Sequence, residues 1–245
     1  MAHSLISRRL SLSSILLAST ALRQTQGFTT RAITTTLVPS LVQSFPFLPD
    51  SSSSRRFLST NNNMPDAPFS YNTYDSLPKV PSFTVTSTDI QEGGTLPPAQ
   101  LSGAFGIEGG QDVSPSLTWE GFPAETKSFV VTCYDPDAPT VSGFWHWILY
   151  DIPASVTSLP TGAGNPDKTL VPQGAKMLQN DAGMPGFLGA APPPGHGAHR
   201  YIFCVTALPV ETLPIDEKTS PSVCHFNMFG AGVLGRAFLT ATFGR

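Results

Sequence analysis

One stretch, residues 129–153, constrains the fold more than any other part of the chain. It reads FVVTCYDPDAPTVSGFWHWILYDIP, with β-branched and aromatic runs on either side of a segment that holds two prolines and a glycine. Such runs favour β-strands, and the prolines predict a stiff turn between them. The turn carries Asp135 and Asp137, and the second strand carries His146 between Trp145 and Trp147. A carboxylate and an imidazole are therefore brought together.

Side-chain alternation assigns the residues of two strands to opposite faces of a sheet. In the strand after the turn, one face takes Trp145, Trp147 and Leu149, and the other takes His146, Ile148 and Tyr150. In a later strand that starts at His199, one face takes His199, Tyr201, Phe203 and Val205, and the other takes Arg200, Ile202, Cys204 and Thr206.

The remaining pattern predicts a mainly β fold. Short strand candidates recur between proline and glycine turns, and no long amphipathic helix interrupts them. Ser220 followed by Pro221 predicts the start of a short helix that ends near Phe229. The run from Gly230 to Gly235 matches GxGxxG, but too little chain follows it for a dinucleotide-binding unit, so these glycines are interpreted as a helix end with close packing.

The first 63 residues differ in composition from the rest of the chain. They hold six arginines and one acidic residue, whereas residues 64–245 hold eight lysines or arginines against sixteen acidic residues. A basic leader rich in serine and threonine predicts an organellar transit peptide for a mitochondrion or plastid, with a secretory or bipartite signal as the alternative. Its apolar run is too short and too polar to span a bilayer. The acidic body argues against nucleic-acid binding.

Several kinds of catalytic site lack their sequence signatures. No G-x-S-x-G motif supplies a nucleophile, and an extended chain would separate Cys204 from His199 by roughly 16 Å. The three cysteines are interpreted as buried thiols without a disulfide framework. His196 and His199 lie in a glycine loop rather than on a helix face, and no short-spaced metal motif accompanies them, so neither a metal nor another cofactor is predicted.

Several polar groups can meet in one cavity if the strands that carry His146 and His199 pair. Asp135 follows the first strand, and Tyr201 lies on the same face as His199. Imidazole N–H groups, the Tyr201 hydroxyl and backbone N–H groups of the loop at residues 186–189 suit an oxyanion such as phosphate. Asp135 would oppose an anion unless it orients a histidine or faces an ammonium group.

With these residues in view, the chain resembles the phosphatidylethanolamine-binding protein (PEBP) family, in particular its bacterial-type Raf-kinase-inhibitor-like branch. The matching blocks are SPSLTWEGFP (114–123), FVVTCYDPDAP (129–139), FWHWILYDIP (144–153), GAAPPPGHGAHRYIF (189–203) and FLTATF (238–243). The resemblance implies a single-domain β-sandwich with short peripheral helices. It divides the chain into a targeting peptide and linker (1–63), a lead-in segment (64–82) and a PEBP-like domain (83–245).

The resemblance also implies a pocket for phosphoryl head groups or simple anions. By position in the motifs, the pocket takes Asp135, His146, His199, Tyr201 and Gly189, with Trp145 and Pro193 as walls. The expected protein is a non-enzymatic binding module for a phosphorylated ligand or a phospholipid head group. Two alternatives stay open: an inhibitor that blocks a kinase or protease by surface contact, with homodimer formation in question, and a metal-assisted or acid–base hydrolase that uses Asp135 with the two histidines.

Overall fold

The computed structural model describes residues 72–245, and the predicted targeting peptide and linker lie outside these residues. The strands are β1 (Thr84–Thr86), β2 (Leu117–Glu120), β3 (Ser128–Asp135), β4 (Phe144–Pro153), β5 (Ser158–Leu159), β6 (Lys176–Met177), β7 (Ala198–Leu208) and β8 (Gly235–Gly244). One α-helix, α1 (Pro221–Ala231), and two 3-10 helices (Thr73–Ser76 and Pro98–Gln100) complete the described part of the chain. The predicted mainly β fold with short helices is confirmed.

The strands form two antiparallel sheets. The larger has the order β6-β4-β3-β7-β8, and the smaller has the order β1-β2-β5. The strands that carry His146 and His199, β4 and β7, both pair antiparallel with β3. Their first residues therefore lie at the same end of the sheet. That end carries the candidate site.

The main core holds apolar side chains from both sheets. Leu117 and Trp119 come from the smaller sheet, and Phe129, Leu149 and Phe203 come from the larger one. Burying each large side chain stabilises the fold by about 1.5–3 kcal/mol. A second core on the opposite face of the larger sheet is covered by α1, and a third core includes Tyr74 of the lead-in segment.

A β-bulge interrupts the pairing of β3 with β4. Cys133 lies opposite Trp147, and the next residue, Tyr134, lies opposite Trp145. His146 is therefore one extra residue on β4 without a partner on β3. Such a bulge bends the strand and re-aims the side chains around it.

Because of this bulge, the side chains at the start of β4 do not follow the predicted alternation. Trp145 packs on the Tyr134 ring, with ring centroids 4.3 Å apart, whereas His146 contacts Tyr201 on the other face, with centroids 5.2 Å apart. Trp147 belongs to the main core together with Tyr201. The prediction that Trp145 and Trp147 share a face opposite His146 is wrong because it assumed an unbroken two-residue period. The predicted alternation of β7 is confirmed, since Tyr201, Phe203 and Val205 lie in the main core and Ile202 and Cys204 in the third.

The predicted helix at Ser220 is confirmed in α1. The Ser220 hydroxyl accepts a hydrogen bond from the Val223 amide, and Pro221 occupies the first turn. Gly232 ends the helix with a φ of 87°, which confirms the interpretation of the GxGxxG run as a helix end. None of the helices in residues 72–245 has both the length and the apolar character needed to cross a membrane.

Candidate functional site

A small pocket opens at the end of the larger sheet where β3, β4 and β7 meet. Its volume is about 210 Å³. Its polar lining comes from Asp135, His146, His199, Tyr201 and Thr140. Its apolar lining comes from Phe105, Ala138, Pro139, Phe144, Ala191, Pro192 and Pro193. We call this cavity the front pocket.

Asp135 and His199 form a buried pair on one side of the front pocket. His199 Nδ1 lies 2.7 Å from Asp135 Oδ2, and both side chains are almost completely buried. The other carboxylate oxygen, Oδ1, accepts a hydrogen bond from the Asp137 amide at 2.8 Å. Because a carboxylate only accepts, it fixes the proton of His199 on Nδ1 and orients the ring.

A third group, His196, continues this chain of hydrogen bonds. Its Nδ1 lies 2.8 Å from His199 Nε2. Gly195 and Gly197 flank it with φ values of 74° and 86°, a backbone region that glycine adopts at little cost. Both nitrogens of His199 are thus engaged, so a ligand reaches Nε2 only if the His196 ring moves aside. The sequence left the role of His196 open, and its spacing of three residues from His199 was the only signal.

The turn between β3 and β4 is held to β7 by a second carboxylate. Asp137 accepts hydrogen bonds from Arg200 Nε at 2.8 Å and from Arg200 Nη2 at 2.7 Å. Partial burial acts to raise the pKa of the Asp137 carboxyl, but the Arg200 hydrogen bonds outweigh it and hold that pKa below its usual value. The sequence placed Asp137 on the turn without a role, and the structure shows that Asp137 fixes the turn in place beside Asp135.

The turn returns to β4 through Gly143. This residue has a φ of 67°, and a Cβ atom there would collide with the Tyr134 hydroxyl and the Asp135 carbonyl. The Thr140 hydroxyl also donates a hydrogen bond to the Gly143 carbonyl. A glycine is therefore required for the close approach that places Thr140 and Phe144 at the pocket.

The bulge directs His146 into the front pocket. Its Nδ1 lies 2.7 Å from the Leu188 carbonyl oxygen, which can only accept, so Nδ1 carries the proton. Nε2 is the ring nitrogen available to a ligand. Burial lowers the pKa of His146, and the nearby Asp135 carboxylate offsets this effect only in part. The ring is therefore neutral at pH 7.

Tyr201 presents a hydroxyl to the front pocket. The side chain is only 2% exposed, and no hydrogen bond to its hydroxyl is found with any residue from 72 to 245. Burial raises the pKa of this phenol well above its usual value, so the group remains a neutral donor. A hydroxyl that faces a cavity without a protein partner offers a hydrogen bond to a ligand atom or water.

Two of the predicted site residues do not line the front pocket. Trp145 lies on the opposite face of the sheet, since the bulge separates it from His146. The Gly189 amide donates to Asp112 Oδ1 at 2.8 Å, and a Cβ atom on Gly189 would collide with the Leu101 backbone. Gly189 therefore supports loop packing.

Two more of the predicted backbone donors of the same loop are engaged within the fold. The Phe187 amide donates to the Gly164 carbonyl, and the Leu188 amide donates to the His146 carbonyl. These amides are not available to an anion. The structure thus brings together Asp135, His146, His199, Tyr201 and Pro193, but not Trp145 or the amides of residues 187–189.

Comparisons with known proteins identify the family. The model for phosphatidylethanolamine-binding proteins matches residues 86–244. UPF0098 protein YbcL of Escherichia coli (strain K12) is 47% identical over 162 residues, which are 66% of this chain and 87% of the relative. UPF0098 protein YbhB of the same organism is 44% identical over 157 residues, which are 64% of this chain and 97% of the relative. The crystal structure of YbcL, described as a new member of the mammalian PEBP family, aligns with a TM-score of 0.64 at 46% identity and covers 67% of this chain and 99% of that one.

The fold and the front pocket define a mainly β protein of two antiparallel sheets with a small cavity at one end of the larger sheet. The chain belongs to the phosphatidylethanolamine-binding protein family, and the similarity to YbcL and YbhB agrees with the bacterial-type branch. The predicted family is confirmed. Members of this family are in general ligand-binding and regulatory proteins without enzymatic activity, which also confirms the expectation of a non-enzymatic protein.

Proposed function

We propose that the protein binds a phosphorylated small molecule or a phospholipid head group, with the phosphoryl group in the front pocket. The observation that carries this proposal is the convergence of the unpartnered Tyr201 hydroxyl with His146 beside the Asp135–His199 pair. A neutral phenol and an imidazole are donors that suit phosphoryl oxygens. The volume of about 210 Å³ fits a small head group and excludes a large ligand.

The charges of the front pocket predict proton uptake on binding. In the free protein His146 is neutral, and its Nε2 has no proton to donate. A phosphoryl anion next to this nitrogen stabilises the protonated ring, because an opposite charge nearby raises the pKa of an imidazole. Binding should therefore strengthen as the pH falls from 7.5 towards 5.5. On binding, the His196 ring should also move aside so that His199 Nε2 contacts the ligand.

The apolar mouth of the pocket favours an ester over free phosphate. Phe105, Phe144 and Pro193 surround the polar end. An ester substituent can cover these side chains, whereas inorganic phosphate leaves them in water. Phosphoethanolamine should therefore bind more tightly than inorganic phosphate.

The proposal is tested by titrating both compounds into protein labelled with ¹⁵N in the histidine rings. The resonances of His146 and His199 should shift with either compound, and those of His225 should not, because it lies on the other face of the sheet. His146→Gln should weaken binding, and His225→Gln is the matched control. If millimolar concentrations of both compounds leave the His146 and His199 resonances unchanged, the proposed function is wrong.

A second candidate function is regulation of a partner protein by surface contact. The observation that favours it is the outer side of α1, where Val223, Phe226 and Phe229 are 49%, 74% and 60% exposed. Exposed apolar side chains grouped on one helix are typical of interaction sites. Phe226→Asp should abolish capture of a kinase or protease partner, and unchanged capture would reject this surface. Size-exclusion chromatography of the same variant shows whether the helix instead joins two copies of the chain.

A further inference from the structure

A second cavity lies on the face of the larger sheet opposite the front pocket. It is enclosed by α1, by the 3-10 helix Thr73–Ser76 and by β8, and its volume is about 310 Å³. We call it the rear cavity. It is larger than the front pocket and falls at the lower end of the range for sites that bury a small organic ligand.

Most of the rear cavity is apolar or aromatic. Leu77, Met228 and Val233 supply aliphatic surface. The Trp145 ring packs against two other rings. Its centroid lies 4.3 Å from that of Tyr134 and 4.2 Å from that of His225. The bulge that sends His146 into the front pocket turns Trp145 towards this side.

His225 behaves as part of this uncharged wall. Its Nδ1 lies 3.0 Å from the Pro221 carbonyl oxygen, so Nδ1 carries the proton. Burial lowers the pKa of the imidazole to about 4, against a smaller opposing effect of that hydrogen bond. The ring is neutral at pH 7.

Arg236 brings the one permanent charge among the side chains that line the rear cavity. Its Nη1 contacts the Pro78 carbonyl oxygen at 3.3 Å. Within residues 72–245 it forms no ion pair, in contrast to Arg200, which is held by Asp137. A guanidinium with spare donors at an apolar cavity is a site for a carboxylate, because arginine forms charge-assisted bonds with planar anions.

We propose that the rear cavity binds a small carboxylic acid with an apolar body, whose carboxylate pairs with Arg236. The apolar part of the ligand covers Leu77, Met228 and Val233. The site is separate from the front pocket, so this proposal does not depend on the proposed function.

The test titrates octanoate into the full-length protein, with 1-octanol as the neutral ligand of the same chain length. The readouts are calorimetry and the three indole N–H resonances. We expect the Trp145 resonance to shift, whereas Trp119 and Trp147 are almost completely buried in the main core and should not respond. A shift of all three resonances, or of none, overturns the proposal.

Variants separate the charge from the cavity. Arg236→Gln should weaken octanoate binding at least tenfold and leave octanol binding unchanged. Arg236→Lys should weaken octanoate binding less than Arg236→Gln does, because lysine keeps the charge but lacks the planar donor group of arginine. Val233→Phe should fill the cavity and abolish both. Lys218→Gln removes an exposed positive charge elsewhere and should change nothing.

The remaining outcomes are equally decisive. If Arg236→Gln binds octanoate as well as the parent, or if Val233→Phe still binds it, the rear cavity is not the site. If the full-length protein binds neither ligand, the cavity is not open to small molecules and the proposal fails. Tyr201→Phe should not alter octanoate binding, so loss of phosphoryl binding and loss of carboxylate binding are told apart.

Discussion

Replacing Tyr201 by phenylalanine should separate ligand binding from stability. The change removes one hydroxyl group that faces the front pocket and has no partner among the described residues. A hydrogen bond to a charged group contributes about 1.5–3 kcal/mol. The affinity for phosphoethanolamine should therefore fall about 10- to 150-fold. Stability should change little, since the substitution removes no hydrogen bond within residues 72–245.

The matched control is Tyr150→Phe. Tyr150 is also buried with an unpartnered hydroxyl, but it lies in the second core, away from the front pocket. Calorimetric titration with phosphoethanolamine and urea unfolding should be measured on both variants. Both should keep the free energy of unfolding within about 1 kcal/mol of the parent, because neither change removes a hydrogen bond within residues 72–245. Unchanged affinity in Tyr201→Phe, or equal losses in both variants, refutes the reasoning.

Four further predictions concern pH, the turn and the leader. Phosphoethanolamine affinity should rise as the pH falls from 7.5 to 5.5, and His146→Gln should remove this rise; calorimetry at several pH values in buffers of different ionisation enthalpy also measures the proton taken up. The pKa of His225 falls from 6.5 to about 4 on folding, so the unfolded state binds more protons between these values and the free energy of unfolding should drop by about 3 kcal/mol as the pH falls through this window. The pH dependence of urea unfolding should be flatter in His225→Gln, and an equal slope in both proteins would exclude His225 as the cause. Gly143→Ala should destabilise the fold by about 1–3 kcal/mol and weaken phosphoryl binding, because the positive φ strains a residue with a Cβ atom and that atom would collide with Tyr134. Gly183 has a positive φ but open space around it, so Gly183→Ala is the control for the φ effect alone. Residues 1–63 fused to a fluorescent protein should direct it to a mitochondrion or plastid, and secretion of the fusion would support the alternative signal.

Several groups of the front pocket could be predicted because they are fixed by local sequence. Asp135 follows a strand and is held by the stiff turn of the DPDAP segment, and His199 and Tyr201 share a face of an uninterrupted strand. Period-2 alternation is a local property of the backbone, so it places the two β7 residues without knowledge of the partner strand.

Other features depend on contacts between distant segments. Trp145 and His146 exchange faces only because β4 carries one residue more than β3 at this point, and a bulge cannot be read from one strand alone. The sequence predicted anion donors in the loop at residues 186–189, but the amides of residues 187–189 pair with two carbonyls and a carboxylate from elsewhere in the chain. Whether a backbone N–H is free is decided by tertiary packing.

The sequence by itself determined the β architecture, the helix at Ser220 and the positions of Asp135, His199 and Tyr201, because strand alternation, capping and turn chemistry act over a few residues, and its motifs indicated the family. The tertiary structure alone decided that His196 covers His199, that Asp137 is held by Arg200, and that Trp145 and Arg236 meet in a second cavity. In the larger sheet β3 and β7 lie between β4, which carries Trp145, and β8, which carries Arg236. Their meeting depends on the sheet and on α1 above it, which no local pattern encodes.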